Sequence, residues 1–189
     1  ETVAQDIFMQ EYFRAGCRLY SDFFLLLIAD ESQEKMIDRL HNRNKRFSNM
    51  QNHCGEHIVS GIVHRIYGFN NVGFHMGSDV ITVDFDGVLT EEQLYDVEQE
   101  ANEAVLRNVP VTISYPSKEE LETMDYRSKK EIEGQVRIVT IEGCDSCACC
   151  GTHVAKTGEI RLIKILSAQK YKGGVRVTML SGEKAYADY

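Results

Sequence analysis

The stretch that organises this chain is residues 48–67, SNMQNHCGEHIVSGIVHRIY. Its apolar residues recur near the spacing of a helical turn and no proline interrupts them, so the pattern predicts an α-helix from Ser48 to Tyr67. His53 and His57 lie four positions apart in this helix. Residues with that spacing leave the same face one turn apart, so the two imidazoles can bind one metal ion.

A second pair with the same spacing, Cys149 and His153, lies far along the chain. The two pairs together offer three imidazoles and one thiolate, a borderline-soft donor set that suits Zn²⁺. A histidine pair alone is often a chance feature of a helix surface. The occurrence of both pairs favours one zinc site built from His53, His57, Cys149 and His153.

Two capping boxes mark the beginnings of further helices. Thr90 is followed three positions later by Gln93, and Ser117 by Glu120, which is typical of a helix N-terminus. The first helix has one apolar stripe, and the second is short and ends near Met124. The stripe consists of Leu94, Val97, Ala101 and Val105.

Alternating apolar residues predict the strands. The last two predicted strands are joined around Lys172-Gly173-Gly174, which indicates a hairpin. The predicted extended segments are 73–85, 109–115, 135–141, 160–166 and 175–180. The third of them leads into a cysteine-rich loop. The fold class predicted is α+β, with a mainly antiparallel sheet packed with helices around a metal-binding cleft.

Composition sets the outer limits of these predictions. With 189 residues and 43% hydrophobic content, we expect one well-buried domain over 47–189 and an N-terminal segment over 1–46, a remnant or an incomplete part of an accessory domain. The longest apolar run, 23–29, is far short of the roughly 20 residues that cross a bilayer. Four of the six cysteines lie within 144–150 and no export signal is visible, which favours the reducing cytoplasm.

The formal net charge of −8 argues against a general nucleic-acid binder, because phosphate contacts come from lysine and arginine. The charges are unevenly distributed, however. Acidic residues concentrate in 84–103, whereas basic residues concentrate in 39–46 and 156–176. One face of the protein can therefore be positive.

The two motifs resemble a known family. Asn52-His53-Cys54-Gly55-Glu56-His57 and Cys149-Cys150-Gly151-Thr152-His153-Val154, the latter followed by Thr157-Gly158-Glu159-Ile160, are similar to the paired motifs of the editing domain of alanyl-tRNA synthetase and its freestanding relatives. The resemblance runs from about Ile37 to about Ala185. It implies that the four predicted ligands bind zinc, and that the chain hydrolyses the ester joining serine or glycine to tRNA specific for alanine.

The resemblance also gives His75 a role, because the family has a polar side chain near the amino-acid pocket at this position. His75 could read the serine hydroxyl, and a buried site that binds a hydroxyl discriminates strongly against substrates lacking one. An ordinary hydrogen-bonded sheet histidine is the alternative. Two positions depart from the family pattern: Cys54 replaces a small hydroxyl residue and Arg161 replaces a glycine. The glycine-rich barrel that begins longer members is not recognisable in 1–46, where Gly16 is the one glycine.

Glu56 supports a rival function from another class. His53-x-x-Glu56-His57 also spells the inverted zinc-peptidase motif, in which Glu56 would be the general base. Such a peptidase would need an acidic third ligand, for which Glu131 or Glu133 are the candidates. The alternative for Glu56 is a solvated helix carboxylate.

Two further hypotheses remain. The chain could be a non-catalytic, zinc-stabilised tRNA-binding module. Cys144 and Cys147 have the C-x-x-C spacing of structural zinc sites, but no second such pair completes a site, so thiols packed in the loop are the simpler interpretation.

Overall fold

The structure is a computed structural model that describes residues 33–128 and 134–188. Its first helix, α1 (Gln33–Tyr67), is 35 residues long, so the predicted start at Ser48 is wrong. The segment 33–47, which was not predicted as helix, has little apolar periodicity. It contains neither proline nor glycine, and its lysine, arginine and glutamine residues favour a helix. The described residues from Arg46 onward form one compact unit. Most of the segment predicted over 1–46 lies outside the described residues.

A hairpin follows α1. Strands β1 (Asn71–Met76) and β2 (Ile81–Phe85) pair antiparallel, and the chain reverses where the Gly77 N–H donates to the Val80 carbonyl at 3.0 Å. The single extended run predicted over 73–85 is therefore wrong. The turn lacks the Asn-Gly or Asp-Gly signal that identifies most two-residue hairpins, so alternation alone did not locate it.

Helix α2 (Glu91–Arg107) begins at the capping box predicted for Thr90 and Gln93, and its whole predicted stripe is buried. The second predicted box, at Ser117, begins the short helix α3 (Lys118–Thr123). Both helix starts are confirmed, because capping is a local interaction of side chains three residues apart.

The middle of the chain forms a small sheet. Strands β3 (Val111–Ser114), β4 (Ile138–Ile141) and β5 (Asp145–Ala148) pair antiparallel in that order. The cysteine-rich segment predicted as a loop is therefore in part a strand. Its short run of small and polar residues, Asp-Ser-Cys-Ala, has no β-propensity pattern, and it is strand because it pairs with the apolar β4.

Strands β6 (Ile163–Tyr171) and β7 (Gly174–Ser181) confirm the predicted hairpin. Lys172 and Gly173 between them have φ of 46° and 85°, as a type I′ turn requires. The predicted end of the first strand at residue 166 is wrong, because β6 continues as an exposed polar strand paired with the largely buried β7. The short helix α4 (Glu183–Ala187) follows.

The larger sheet has the order β1-β2-β7-β6, and every pairing between named strands of the described residues is antiparallel. The α+β class with antiparallel pairing is confirmed, with two sheets among the described residues in place of one. None of the helices in 33–128 and 134–188 has both the length and the apolar character that a bilayer crossing needs.

One hydrophobic core joins α1, α2 and the larger sheet, and Ile141 of the smaller sheet packs into it. The buried face of α1 reaches the smaller sheet at Gly61, where an added Cβ would lie 2.2 Å from the Cys144 carbonyl oxygen. Any side chain at Gly61 would push α1 away from the start of β5. The members contributed by α1 are Cys54, Ile58, Val59, Ile62 and Val63.

Arg161 has an unusual backbone conformation. Its φ is 70° and its ψ is −61°, and the Leu162 N–H donates to the Ile160 carbonyl at 2.9 Å. This is a γ-turn with a positive φ at its centre, a conformation that is rare and strained for a residue with a Cβ. It explains why a glycine suits this position.

Arg161→Gly is expected to stabilise the protein. The change removes backbone strain of about 1–3 kcal/mol, partly offset by about 0.4–1 kcal/mol from the greater freedom of glycine in the unfolded chain. We expect the melting temperature to rise by about 2–4 °C, a net gain of roughly 1 kcal/mol. Arg161→Ala is the control, because alanine removes the exposed guanidinium but keeps the Cβ. An equal rise in both variants would show that the arginine side chain, and not the turn, was unfavourable.

Candidate metal centre

Helix α1 presents His53 and His57 on one face, one turn apart. Two side chains beside them fix this part of the helix: the Ser181 N–H donates to Asn52 Oδ1 at 3.0 Å, and Gln51 Nε2 donates to the Glu159 carbonyl at 2.8 Å. These bonds tie α1 to the end of β7 and to the 3-10 helix Thr157–Ile160. The position of the histidine pair is therefore set both by the packing of α1 in the core and by the hydrogen bonds of Gln51 and Asn52.

Cys149 and His153 lie in the loop that follows β5. The Cys149 N–H donates to the Arg137 carbonyl at 3.0 Å, and the Val154 N–H donates to the Cys54 sulfur at 3.3 Å. The loop is thus held on one side to the residue that precedes β4 and on the other side to α1. Burial raises the pKa of Cys54 to about 11, so this sulfur stays a thiol.

These four predicted ligands are brought together. One ligand atom from each of His53, His57, Cys149 and His153 lies within 4.8 Å of all the others. His53 Nε2 and Cys149 Sγ are 3.5 Å apart, and the His53 and His153 rings have centroids 4.5 Å apart. Such a group of nitrogen and sulfur donors is a candidate metal centre.

Hydrogen bonds orient two of the rings. His53 Nδ1 is 3.2 Å from the Thr152 carbonyl oxygen, and His57 Nδ1 is 2.8 Å from Asp145 Oδ2. A carbonyl or carboxylate oxygen only accepts, so Nδ1 carries a proton and donates in both cases. This leaves Nε2 of each ring as the nitrogen that can bind an ion once it is unprotonated, the arrangement in which an outer acceptor fixes a metal-binding histidine.

His153 provides an independent test of whether the residues fit an ion. In the part of the chain that the structure describes, neither of its ring nitrogens has a hydrogen-bond partner, although both are buried. Burial of an unpaired polar atom is unfavourable by about 1–3 kcal/mol. A metal ion held with the other three donors would satisfy one of these nitrogens, so the residues fit a metal.

The net effect of burial and neighbouring groups favours a deprotonated Cys149 and a neutral His153. Burial would raise the pKa of the Cys149 thiol, but the neighbouring His153, His53 and His57 favour the thiolate and lower the pKa to about 3. Burial lowers the pKa of His153, and the nearby charge of His57 adds to this effect. A thiolate and a neutral imidazole are the forms that bind metals.

His57 differs from its neighbours in charge. Burial would lower its pKa, but hydrogen bonding to Asp145, together with Cys147 and Cys149, raises it well above the usual value. Without an ion the ring is therefore protonated beside the thiolate. Binding of a metal would release this proton.

Asp145 was not predicted as a site residue. It lies on β5, it is buried, and both of its oxygens are used: Arg127 donates through Nε to Oδ1 at 2.7 Å and through Nη2 to Oδ2 at 2.8 Å. His57, Asp145 and Cys147 also have ligand atoms close together, but Arg127 already supplies the positive charge at this carboxylate. The one sequence signal was a charged residue in a segment of small residues.

Two other predicted residues are not in the cluster. The Glu56 carboxylate is 2% exposed and accepts hydrogen bonds from Ser60 and the Asn71 amide, so the alternative of a solvated carboxylate is wrong. His75 is exposed on β1, next to Phe74, whose ring stacks on His53 with centroids 5.7 Å apart. Because successive strand residues face opposite sides, His75 points away from that ring. The catalytic role of Glu56 and the recognition role of His75 stay predictions.

The hypothetical C-x-x-C site also has no counterpart among the described residues. Cys147 lies near His57 and Asp145, whereas the Cys144 sulfur accepts from Arg107 Nη2 at 3.6 Å. The Cys144 thiol is further kept protonated because burial raises its pKa. Glu131 and Glu133, the acidic ligands that a peptidase would need, lie outside the described residues.

Comparisons with known proteins place this geometry in a family. The model described as the threonyl and alanyl tRNA synthetase second additional domain matches residues 136–178, which include Cys149 and His153. The alanyl-tRNA editing protein Aarsd1-A of Xenopus laevis is 36% identical over 146 residues, which is 75% of this chain and 35% of that protein.

Two more relatives agree. The alanyl-tRNA editing protein Aarsd1 of Mus musculus is 34% identical over 68% of this chain and 32% of its own length. The alanyl-tRNA editing protein AlaX-L of Pyrococcus horikoshii is 30% identical over 74% of this chain and 35% of its own length. The chain thus spans about a third of the length of these relatives. The resemblance drawn from the two motifs is confirmed, and the chain belongs to the family of the freestanding alanyl-tRNA editing proteins.

Proposed function

We propose that this chain deacylates mischarged tRNA specific for alanine in trans, with Ser-tRNA(Ala) as its main substrate and Gly-tRNA(Ala) as a second one. The observation that carries the proposal is the convergence of His53, His57, Cys149 and His153 in a family whose members are alanyl-tRNA editing proteins. The reaction breaks the ester between the amino acid and the tRNA ribose by addition of water.

Zinc is the metal that we propose for the centre. Zinc–sulfur and zinc–nitrogen bonds of about 2.3 Å and 2.05 Å at a tetrahedral angle put the two donor atoms about 3.6 Å apart. The His53 Nε2 and Cys149 Sγ atoms are 3.5 Å apart. When bound, Zn²⁺ supplies a Lewis acid that polarises the ester carbonyl or water, or anchors the substrate amino group.

The chain's own residues shape the surroundings of the reaction. Thr152 and Asp145 hold the proton of His53 and His57 at Nδ1, so neither ring turns in the site. The Phe74 ring stacks against His53 and restricts it further. His57 is buried, while His53, Cys149 and His153 are partly exposed. We therefore propose that the substrate enters a cleft on the side of these three residues.

The tRNA contact that we propose uses exposed cations. Lys156 follows the His153 loop, Lys170 lies near the end of β6 and Lys172 lies in the β6–β7 turn, all with exposed side chains. Lysines in such positions can bind phosphates, and the resulting affinity falls as salt rises. Arg176 is a weaker candidate because it donates both Nε and Nη2 to Asp84.

Two alternatives are not favoured. A peptidase of the inverted motif would use Glu56 as the base, but this carboxylate is buried and accepts from Ser60 and Asn71. Cys149 supplies a thiolate where a peptidase would have a carboxylate. A non-catalytic tRNA-binding module would bind the ion and tRNA without releasing amino acid.

The test is a deacylation assay with the full 189-residue chain after loading with Zn²⁺. Ser-, Gly- and Ala-charged tRNA(Ala) are compared as substrates. We expect release of serine, slower release of glycine and sparing of alanine. If folded, metal-loaded protein releases neither serine nor glycine faster than a buffer blank, the enzyme proposal is wrong and the binding module is favoured.

Loading with Zn²⁺ is expected to raise the melting temperature. The ion binds the folded chain, where the four donors meet, far more tightly than the unfolded one. At a free concentration of about 100 times the dissociation constant the gain is about 2.7 kcal/mol, or roughly 5–10 °C for a domain of this size. Differential scanning calorimetry with Zn²⁺, with Mg²⁺ as the control cation, measures it. An equal shift with Mg²⁺ would contradict a site of nitrogen and sulfur donors.

A further inference from the structure

A buried ion pair lies directly behind the candidate metal centre. The side chains of Arg127 and Asp145 are 12% and 1% exposed. Arg127 binds both carboxylate oxygens through two parallel N–H groups. A two-pronged contact of this kind fixes the plane of the carboxylate as well as its position.

The backbone of Arg127 is fixed to the same strand as Asp145. The Arg127 N–H donates to the Ser146 carbonyl at 2.8 Å, and its own carbonyl accepts from the Ala148 N–H at 2.9 Å. Arg127 is thus held to β5 twice: its backbone pairs with the strand, and its guanidinium binds the Asp145 side chain of the same strand. This leaves little freedom for Asp145 to turn.

The third member of the chain of contacts is His57, whose Nδ1 lies 2.8 Å from Asp145 Oδ2. That oxygen also accepts from Arg127 Nη2. Because Asp145 is fixed and accepts only, the His57 proton is kept at Nδ1 and the ring angle is set. Nε2 is then the ring nitrogen on the side of Cys149 and the other donors.

We propose that Arg127 and Asp145 are positioning residues for the metal centre: Arg127 fixes Asp145, and Asp145 holds His57 in the tautomer and orientation that bind the ion. The inference rests on the proposed function only for the identity of the cluster as a metal centre, and it does not depend on deacylation. Mutation of a residue that orients a metal-binding histidine typically lowers metal affinity by about 10–100-fold.

Asp145→Asn is the decisive substitution, because both oxygens of Asp145 face N–H donors. An amide offers one oxygen and one NH₂ group, so at least one of the three contacts of this side chain becomes donor against donor. If the NH₂ group faces His57, the ring proton must move to Nε2, which then cannot bind a metal. If it faces Arg127, the fork breaks and the ring loses its fixed acceptor. We expect the affinity for Zn²⁺ and Co²⁺ to fall at least about tenfold.

The molecule contains a matched control for this change. Asp84 forms the same fork with Arg176, at 2.6 and 2.8 Å, on the face of β2 opposite to the buried Val83 and Phe85. Asp84→Asn breaks an aspartate–arginine pair of equal geometry without touching a histidine. We expect it to leave the metal affinity close to that of the wild type.

The experiment is a competition of Zn²⁺ and Co²⁺ with a chromophoric chelator for the full chain, its two single variants and the double variant Arg127→Gln with Asp145→Asn. The double variant avoids a buried, unpaired guanidinium and is judged by the same criterion where Asp145→Asn alone does not fold. Visible absorption of the Co²⁺ forms reports the ligand geometry, and melting of the metal-free proteins reports stability separately.

The expected result is a loss of affinity and an altered Co²⁺ spectrum in Asp145→Asn and in the double variant, and neither in Asp84→Asn. Wild-type affinity and an unchanged spectrum in the folded Asp145 variants, with a lower melting temperature alone, would overturn the proposal and leave the pair a purely structural one. The deacylation assay answers a separate question. Affinity that falls as expected in a protein that releases no amino acid would support the positioning roles and reject the proposed function.

Discussion

Replacing Cys149 with alanine is expected to lower the rate of serine release from Ser-tRNA(Ala) by at least about a hundredfold. Cys149 supplies the one thiolate among the four convergent donors, and the neighbouring histidines keep it ionised by lowering its pKa to about 3. Loss of an outer hydrogen bond alone changes metal affinity by about 10–100-fold, so loss of a ligand should cost at least as much. Zinc content after dialysis and the single-turnover rate are the two measurements.

Cys150→Ala is the control for Cys149→Ala. Cys150 is the next residue and its thiol is exposed, so this variant removes a sulfur of the same loop without removing a convergent donor. Zinc content and rate should stay near the wild-type values. Retained activity in metal-loaded Cys149→Ala would show that the thiolate is dispensable, and the proposed ligand set would then be wrong.

Gly151→Ala is expected to have an effect of similar size, although it adds a single methyl group and removes no ligand. A Cβ at Gly151 would lie 2.1 Å from His53 Cε1 and 2.6 Å from His53 Nδ1. Atoms cannot approach so closely, so the ring or the loop must move and the contact of His53 with the Thr152 carbonyl is lost. We expect metal affinity to fall by about a hundredfold, with the deacylation rate falling alongside it.

The control for Gly151→Ala is Ala155→Ser, which adds one heavy atom to an exposed side chain of the same loop. Metal competition and circular dichroism measure the site and the fold of both variants. A Gly151→Ala protein with wild-type affinity would mean that the loop adapts freely. The close packing of loop against ring would then not be what places His53.

Local signals allowed the helical part of the site to be predicted from sequence. His53 and His57 share a face because a helix repeats every 3.6 residues, and the capping boxes at Thr90 and Ser117 involve side chains only three positions apart. Such interactions leave a readable pattern in a short window. Cys149 and His153 have the same spacing but lie in a loop, so their pairing followed from the type of residue and not from a helical repeat.

Nonlocal contacts explain what was missed. Asp145 is bound by Arg127 and His57, which lie 18 and 88 positions away, and its strand has no alternating apolar pattern. Its burial is decided by the partners, not by its neighbours in sequence. The same holds for Glu56, whose contact with Asn71 joins positions 15 apart, so a carboxylate expected in water lies in the interior.

The separation of the two histidine pairs along the chain has a consequence during protein synthesis. At about 5–20 residues per second, a ribosome that has just added His57 needs roughly 5–20 s more to reach His153. For nearly all of that interval the nascent chain carries these two imidazoles without Cys149, and for most of it Asp145, whose carboxylate contacts His57, has not been made either. The four donors can therefore hold an ion together only after His153 has been added, so capture of a metal by the proposed centre must follow synthesis of the whole segment 53–153.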